Sequence, residues 1–348
     1  MPAVSVLMVV LNEETHLARA ARSVLEQTYS DVELLIIDGG SEDRTPDIMA
    51  TLAAQDRRVR LLRNPARVIP AGLNVGLGAA RGDYVARLDG HSVWAPTVVE
   101  RGLAVLEGSE RCAGIGGRRL GVGHDRRGRA IAEALGSRLG VGNSIYHYGT
   151  EPAETDHATC GLYRTDVARA VGGWDEELPV NEDVDFDHRI RRSGWKIRFD
   201  PAMETSWVVQ SDLRKLFRQY RRYGRGKSQM IRKNGWQAIR ARHTAAPALV
   251  TTTVAGAVLA ALTRRWVVLA PTVAYGVALA GAARLTRPRD TDTSFPVFLG
   301  ALSAMHFGWG LGFLEERVLR LTPHHASAAP TGGAPTGTGP ADTAGTAA

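Results

Sequence analysis

The first ninety residues of this 348-residue chain alternate between short apolar runs and stretches with helical spacing. This alternation is typical of βαβ units, and it predicts an α/β fold with a mostly parallel sheet. Ligands of such sheets bind beyond the carboxyl ends of the strands. The polar residues predicted at that edge are Asn12, Glu13, Asp38 and the segment Asp89–His91. The predicted strands and helices are Val4–Val10, Leu17–Gln27, Val32–Asp38, Val59–Leu62, Ala71–Ala80 and Tyr84–Leu88.

A more mixed pattern runs from Ile115 to Asp200, with Gly-rich loops, a predicted strand at Thr159–Arg164 and a helix that opens near Asn181. A dinucleotide-binding fingerprint, G-x-G-x-x-G, would have to follow the first strand directly. The sequence there is Leu11-Asn12-Glu13-Glu14 instead. This disfavours a nicotinamide-dependent oxidoreductase.

The net charge of +7 is concentrated in one segment. Between Leu213 and Arg242 there are eleven Lys or Arg and no Asp or Glu, so the rest of the chain carries a net charge of −4. A nucleic-acid binder would use such a stretch. Because apolar runs follow it directly, contact with an anionic membrane surface is the better interpretation. We expect residues 213–243 to be a basic juxtamembrane segment, with a helix over Leu213–Lys227.

Three uncharged apolar runs come next: Ala245–Leu262, Trp266–Ala283 and Phe295–Leu314, of 18, 18 and 20 residues. Each is close to the ~20 residues that cross a hydrocarbon core, so residues 245–320 are predicted to be a membrane region. Three buried helices of a soluble fold are the alternative, which the lack of a polar face disfavours. The basic segment before the first run is expected in the cytosol. Arg264 and Arg265 oppose two full spans, which leaves a shallow hairpin as a second possibility.

Both ends of the sequence differ in composition from the part between them. The segment Met1–Glu14 has an apolar run without a preceding positive charge, and acidic residues follow it. It does not fit a signal peptide, so we expect the first domain to stay in the cytosol. Residues 322–348 are mostly Pro, Gly, Thr, Ala and Ser, which predicts a disordered tail. Cys112 and Cys160 lack metal-ligand spacing and are interpreted as ordinary thiols.

Acidic residues and one histidine are the candidate functional groups. Asp89 and His91 follow a predicted strand and are separated by Gly90, which permits a tight turn. Carboxylate and imidazole both bind divalent metals, although Asp-Gly at a strand end is often simply a turn. Asp38 ends a neighbouring strand and either caps the turn before Ser41 or contacts a ligand. The acidic run Asn181–Asp185 opens a helix, where negative charge also suits the helix dipole.

Four segments in order, VLMVVLNEE, ELLIIDGGSEDRT, NVGLGAARGDYVARLDGH and GGWDEELPVNEDVDF, resemble the family 2 inverting glycosyltransferases with the GT-A fold. The resemblance covers roughly residues 1–230, and the ordered set is far more specific than any single segment. Within that family the chain is most similar to the glucosyltransferases of bacterial exopolysaccharide assembly of the succinoglycan type. The resemblance implies a catalytic domain over residues 1–230 with a Rossmann-like mixed sheet. It also implies transfer of a hexose from a UDP-sugar to a lipid-linked glycan at the plasma membrane, with no nucleic acid involved.

The resemblance also implies where the donor and its metal bind. Leu11, Glu13 and Asp38 would line the nucleoside pocket, with Asp38 bonded to the base. Asp89 and His91 would occupy the metal and diphosphate position. The family usually has Asp-x-Asp here, whereas this chain has Asp-Gly-His. Because imidazole suits Mn²⁺ better than Mg²⁺, Mn²⁺ is the predicted cofactor, with Asp89 as the sole metal contact as the alternative.

Inverting transfer is a single displacement, so the acceptor hydroxyl needs a carboxylate base within hydrogen-bond reach. The resemblance implies that Asp183 is this base and that Glu182 positions it or the acceptor. Asp185 and Asp187 are the alternatives.

Two further segments resemble acceptor-side elements of the family. Trp174 and Asp175 match a loop that contacts donor sugar and acceptor, although Trp174 is equally compatible with a core position. Gln219 to Tyr223 resembles the Gln-x-x-Arg-Trp element of processive relatives, with Tyr in place of Trp. Arg222 would then face the diphosphate or an acceptor phosphate, unless it belongs to a solvated basic surface.

Two other functions share this fold and remain open. One is transfer of a single sugar to polyprenyl phosphate, which uses the same cleft with another acceptor. The other is a catalytically inactive membrane scaffold. The joint presence of Asp38, Asp89 and Asp183 argues against the scaffold.

Overall fold

The computed structural model describes residues 3–235, 242–287 and 292–319. The predicted disordered tail and residues 236–241 of the basic segment lie outside the described residues. The strands are β1 (Val4–Val10), β2 (Val32–Asp38), β3 (Val59–Arg63), β4 (Tyr84–Arg87), β5 (Ser92–Trp94), β6 (Cys112–Val122), β7 (Ala153–Thr155), β8 (Leu162–Arg164) and β9 (Lys196–Val208). They form one mixed sheet in the order β3-β2-β1-β4-β8-β6-β9-β5, and β7 pairs with β9.

Twelve α-helices lie within the described ranges. They are α1 (Leu17–Leu25), α2 (Thr45–Gln55), α3 (Ile69–Ala79), α4 (Val98–Glu107), α5 (Arg126–Leu135), α6 (Arg138–Val141), α7 (Thr165–Ala170), α8 (Glu182–Arg192), α9 (Leu213–Asn234), α10 (Arg242–Thr263), α11 (Ala270–Thr286) and α12 (Phe295–Leu319). Short 3₁₀ helices occur at Ile145–His147 and Trp266–Leu269.

The predicted N-terminal strands form the parallel half of the sheet. Strands β1 and β2 have the predicted bounds, β3 is one residue longer, and β4 ends one residue earlier, at Arg87. In β2 all residues from Val32 to Ile37 are buried, because helices cover both faces of the sheet. Val10 pairs with Asp38 and Leu7 with Arg87, so the carboxyl ends of β2, β1 and β4 meet at one edge.

The second half of the sheet is mixed. Strand β8 is antiparallel to both β4 and β6, while β6 runs parallel to β9. The predicted strand Thr159–Arg164 is shorter than expected, because Cys160 has a φ of +47° and cannot continue the pleat. Asn181 also has a positive φ, 64°, and helix α8 begins directly after it.

The sheet separates two hydrophobic cores. One contains Leu17 of α1, Leu52 of α2 and Leu103 of α4. The other contains Leu73 of α3 and Phe186 of α8. This gives the three-layer α/β/α arrangement expected from the alternating sequence.

The C-terminal part of the described chain is helical. Helix α9 extends to Asn234, past the predicted end at Lys227. Three helical segments are long and apolar enough to cross a membrane: His243–Thr263, Trp266–Thr286 and Phe295–Arg317. A third hydrophobic cluster joins them to the catalytic domain, with Ile131 of α5, Leu216 of α9, Leu279 of α11 and Phe298 of α12.

Candidate active site

The loops after β1 and β2 are bonded to each other at the edge of the sheet. The Asn12 amide donates to the Ser41 hydroxyl at 2.9 Å, and the Glu13 amide donates to the Thr45 hydroxyl at 2.7 Å. The Ser41 hydroxyl in turn donates to the half-buried Asp38 carboxylate at 2.6 Å. Asp38 therefore caps this turn, as one of its two predicted roles requires. The exposed Leu11 side chain lies beside the same turn.

Asp89 follows β4 and is held between two guanidinium groups. Its Oδ1 lies 3.2 Å from Arg87 and its Oδ2 lies 3.4 Å from Arg119. Burial raises the pKa of Asp89, but Arg87 and Arg119 outweigh burial and lower this pKa to about 2. Asp89 is therefore ionised at any physiological pH. Arg119 comes from β6 and stacks over Trp207 of β9 at 4.5 Å.

His91 lies at the same edge and contacts Glu13. Its Nδ1 is 3.0 Å from Glu13 Oε1, and this bond is the main reason that the pKa of His91 is raised above its usual value. Between the two predicted metal ligands, Gly90 leaves space for β1, since a Cβ there would be 2.8 Å from Val10 Cγ1. Glu13, Asp89 and His91 thus converge at the ends of β1 and β4.

Arg87 joins this edge to helix α8. Its guanidinium lies 2.8 Å from Glu182 Oε1 and 3.7 Å from Asp183 Oδ2, in addition to its contact with Asp89. Burial and the neighbouring Asp183 raise the pKa of Glu182, and Arg87 opposes the rise. Sequence reasoning did not single out Arg87. The sequence signal for Arg87 was its position at the end of β4, two residues before Asp89. Residues two apart in an extended chain face the same side, so this spacing places Arg87 beside Asp89.

Four acidic side chains at the start of α8 differ sharply in exposure. The exposed side-chain fraction is 32% for Asp183, but 6% for Glu182, 1% for Asp185 and 0% for Asp187. Burial raises the pKa of Asp183, but His157 and Arg87 lower it by more, so the net shift is downward. Asp183 is the ionised carboxylate of this set that solvent or a substrate can reach.

Asp185 and Asp187 are occupied by structural contacts. Asp185 accepts from Arg189 at 2.8 Å and from Asn234 of α9 at 2.5 Å. Asp187 accepts from the Tyr163 hydroxyl at 2.9 Å and lies 2.6 Å from His157 Nδ1. Neither carboxylate is free to receive a proton from a substrate hydroxyl.

His157 was not found from the sequence, because it belongs to none of the recognised segments. Its Nδ1 contacts Asp187, and its Nε2 lies 3.7 Å from Asp183 Oδ2. Burial lowers the pKa of His157, but Asp183 and Asp187 raise it by more. The imidazole therefore lies between two carboxylates, one buried and one open.

Aromatic side chains surround the approach to Asp183. The Gln219 amide donates to the Tyr223 hydroxyl at 2.9 Å, and Tyr220 packs edge-on against Tyr223 at 5.5 Å. Tyr146 packs edge-on against His157 at 5.2 Å. Helix α9 thus brings Gln219 and two tyrosines to the site.

Three other predicted acceptor-side residues lie elsewhere. Trp174 is 3% exposed and stacks on Phe186 at 4.4 Å, so its side chain is part of the core and unavailable to an acceptor. Asp175 forms an ion pair of 2.6 Å with Lys233 of α9. Arg222 is exposed on α9.

Residues 5–172 match the family described as Glycosyl transferase family 2. The chain carries a family 2 glycosyltransferase domain. Over 311 residues it is 29% identical to the succinoglycan biosynthesis protein ExoA of Rhizobium meliloti, covering 88% of this chain and 92% of that protein. The predicted family is confirmed.

A second relative is the dolichyl N-acetyl-α-D-glucosaminyl phosphate 3-β-D-2,3-diacetamido-2,3-dideoxy-β-D-glucuronosyltransferase of Methanococcus voltae. It is 24% identical over 239 residues, which is 66% of this chain and 74% of that protein. Among solved structures, the mannosyltransferase PcManGT from Pyrobaculum calidifontis, in complex with GDP-Man and Mn²⁺, aligns with a TM-score of 0.64 at 18% identity. The alignment covers 91% of this chain and 87% of that chain. The predicted GT-A fold is confirmed.

Proposed function

We propose that this glycosyltransferase moves a hexose from a UDP-sugar, with inversion, to a lipid-linked glycan on the cytoplasmic face of the plasma membrane. The product would belong to exopolysaccharide or another cell-envelope glycan. One observation carries the proposal: the Arg87 guanidinium lies within 4 Å of Asp89, Glu182 and Asp183. It joins the predicted diphosphate position to the predicted base.

Asp183 is the proposed base because it is ionised and accessible, whereas the alternatives Asp185 and Asp187 are buried in other contacts. The acceptor hydroxyl gives its proton to Asp183 as it attacks the anomeric carbon. Glu182 and Arg87 hold the base in place from one side, and His157 does so from the other. Of the four carboxylates at the start of α8, only that of Asp183 is accessible to an acceptor.

The residues present fit a divalent cation that is bound largely by the donor. Within the described ranges, no group of three or more His, Cys, Asp or Glu could hold a metal alone. Metals that act on nucleotides take one or two protein ligands and fill the remaining positions with phosphate and water. Asp89 and His91 are the proposed ligands, and imidazole favours Mn²⁺. When bound, the cation stabilises the charge that grows on the leaving diphosphate.

The donor and acceptor assignments draw on several features together. Leu11, Glu13 and Asp38 surround the proposed nucleoside pocket at the ends of β1 and β2. Arg119 adds a second cation beside Asp89, where diphosphate oxygens would lie. A lipid-linked acceptor agrees with the apolar helices beside the site and with the dolichyl phosphate in the name of the Methanococcus voltae relative.

The test is transfer of labelled sugar by the full-length protein in lipid nanodiscs, with a panel of nucleotide sugars and lipid-linked glycan primers. We expect Mn²⁺-dependent transfer with a UDP-sugar, and a β-linked product from an α-linked donor by NMR. Asp183→Asn should lower turnover at least ~10²-fold, the scale of general-base catalysis, while donor binding is retained. Glu177→Gln is the control, because Glu177 is an exposed carboxylate in the loop that precedes α8.

Three results would overturn the proposal. One is full turnover by Asp183→Asn. Another is transfer to free polyprenyl phosphate in preference to every lipid-linked glycan, which would favour the single-sugar function. The third is an intact protein that binds donor but transfers to neither acceptor class, which would indicate the scaffold.

A further inference from the structure

Helix α12 has the length and composition of a third membrane span, yet it packs along α9 with the two helices running parallel. Gly300 contacts Leu213, Gly308 contacts Phe217, and Gly312 contacts Arg221. Further on, Glu315 pairs with Arg225 at 2.7 Å and Glu316 pairs with Arg232 at 2.9 Å. From Gly300 to Glu316 this parallel contact extends about 24 Å at 1.5 Å per residue.

The two backbones touch at glycines. A Cβ on Gly312 would collide with the Arg221 carbonyl oxygen, and a Cβ on Gly224 would collide with the Trp309 carbonyl oxygen. Such direct backbone contact leaves no space for lipid between the helices. Helix α12 therefore cannot cross the membrane unless α9 crosses beside it.

Helix α9 cannot lie across a hydrocarbon core. Its 22 residues, Leu213–Asn234, include nine Lys or Arg. Charged side chains are strongly disfavoured at the bilayer centre. The helix is also bonded to the active site, since the Tyr223 carbonyl accepts from Asn181 at 3.2 Å and Asn234 donates to Asp185.

The rest of α12 contacts the catalytic domain as well. Phe298, Leu302 and Met305 share a buried cluster with Ile131 of α5. His306 Nε2 lies 2.7 Å from the Leu139 carbonyl oxygen. If α12 crossed the membrane, α5 and α6 would enter the hydrocarbon core with it, where their loops would lack hydrogen-bond partners.

Helices α10 and α11 have the opposite character. The buried share of the apolar stretch is only 22% in His243–Thr263 and 11% in Trp266–Thr286, against 39% in Phe295–Arg317. Their apolar side chains from Val254 to Val273 include seven that are between 48% and 76% exposed: Val254, Val258, Leu259, Leu262, Trp266, Val267 and Val273. A surface of this kind needs lipid contact.

Charged residues lie at both ends of each of these two helices, and the distance between them is close to the thickness of a bilayer. From Arg242 to Arg264 the chain has no charged residue over 21 positions, and from Arg265 to Arg284 it has none over 18. At 1.5 Å per residue these lengths are about 32 and 27 Å, close to the ~30 Å hydrocarbon core. Arg264 and Arg265 at the turn would then reach the opposite headgroups.

Both helices contact α12 in the half of their length that ends at Arg242 or at Arg284. His243 stacks on Trp309 at 5.8 Å, and a Cβ on Gly310 would collide with the Ala246 carbonyl oxygen. In α11, Tyr275 packs edge-on against Phe307 at 6.2 Å. Ala246 lies about 6 Å from Arg242 along α10, and Tyr275 lies about 14 Å from Arg284 along α11, so these contacts reach no deeper than the middle of the hydrocarbon core.

We propose that α10 and α11 cross the membrane as a two-span hairpin, whereas α12 lies along the cytoplasmic surface of the bilayer beneath α9. The lipid bilayer is the partner of the exposed hairpin surface. The chain beyond α12 is then cytoplasmic, on the same side as the catalytic domain. A three-span arrangement would put it outside.

The experiment uses full-length protein in spheroplasts of a Gram-negative host and a membrane-impermeant maleimide. Three variants each carry one new cysteine: Gln55→Cys in the catalytic domain, Thr263→Cys at the hairpin turn and Ser327→Cys after α12. The native Cys112 and Cys160 are buried, so the unmodified protein gives the background. We expect Thr263→Cys to react in intact spheroplasts, and the other two to react only after permeabilisation.

Labelling of Ser327→Cys in intact spheroplasts would overturn the in-plane position of α12. Failure of Thr263→Cys to react before permeabilisation would overturn the two crossings. The assay measures orientation alone, so its outcome is independent of whether the protein transfers the proposed sugar. Gln55→Cys, labelled in parallel in the same preparation procedure, reports whether the spheroplasts are intact.

Discussion

At the scale of single residues, one buried guanidinium determines how the site is charged. Three carboxylates, those of Asp89, Glu182 and Asp183, lie around Arg87. Like charges this close would otherwise force one group to take a proton. Arg87 lowers the pKa of Asp89, and His157 and Arg87 together lower that of Asp183, whereas burial and the charge of Asp183 raise the pKa of Glu182. The base and the diphosphate position are therefore coupled through one side chain.

His157 is expected to set the acid limit of activity. The pKa of Asp183 is lowered partly by His157, so the base stays ionised below the usual range of an aspartate. Replacement of His157 by Gln removes this charge, and the pKa of Asp183 should rise. The acidic limb of the kcat profile should then move to higher pH. His124→Gln, at an exposed position, is the control, and an unmoved limb in His157→Gln would contradict the coupling.

His91 is expected to matter for metal affinity more than for turnover. As a proposed ligand it must be neutral, yet its bond to Glu13 raises its pKa. Metal binding should therefore weaken as pH falls, since the proton and the cation compete for the ring. In His91→Ala we expect the Mn²⁺ concentration for half activity to rise at least ~10-fold and to lose most of this pH dependence. An identical Mn²⁺ titration in the variant would remove His91 from the metal.

At the scale of elements, the first half of the fold could be predicted because the central buried strands are mainly apolar runs separated by helical patterns. Strands β1 and β2 matched to the residue. The contact between Arg87 and Glu182 joins positions 95 residues apart, and no local pattern encodes it. Helix α12 shows the other limit: its composition is that of a span, but its partners include α5 and α9 as well as α10. The length of an apolar run indicates that a helix is buried, but it does not distinguish burial in lipid from burial in protein.

Close packing of α12 on α9 is expected to support the active site. Helix α9 carries Tyr220 and Tyr223 beside Asp183, so a wedge between the helices should displace them. Gly312→Leu forces the Arg221 backbone away and should lower turnover and melting temperature together. Gly276→Leu is the matched control, because a Cβ at Gly276 meets nothing within 4 Å. If the two variants had the same turnover and melting temperature, the packing of α12 on α9 would not support the active site.

At the scale of the whole molecule, the active site and the membrane contact share one helix. One part of α9 faces Asp183 through Tyr223, another contacts α12, and a third is exposed. The exposed part carries Arg214, Lys215 and Arg218. With α12 in the plane of the bilayer, these cations lie beside the headgroups, so lipid charge can influence the orientation of the cleft.

Activity should therefore depend on anionic lipid through these three cations. Each Lys or Arg near an anionic surface contributes about 1 kcal/mol, so three of them add about 3 kcal/mol to docking of α9 on the bilayer. In nanodiscs that contain anionic lipid we expect replacement of all three by Gln to lower turnover with a lipid-linked primer. In neutral nanodiscs the variant and the unmodified protein should be equal. Replacement of Arg22, Arg57 and Arg111 by Gln, at exposed positions elsewhere in the catalytic domain, changes net charge equally and is the control. Because screening shortens the reach of surface charge, raising salt from 0.05 to about 0.5 M should reduce the unmodified protein towards the variant. An equal loss of turnover in neutral lipid would instead indicate that these cations act in folding or in acceptor binding.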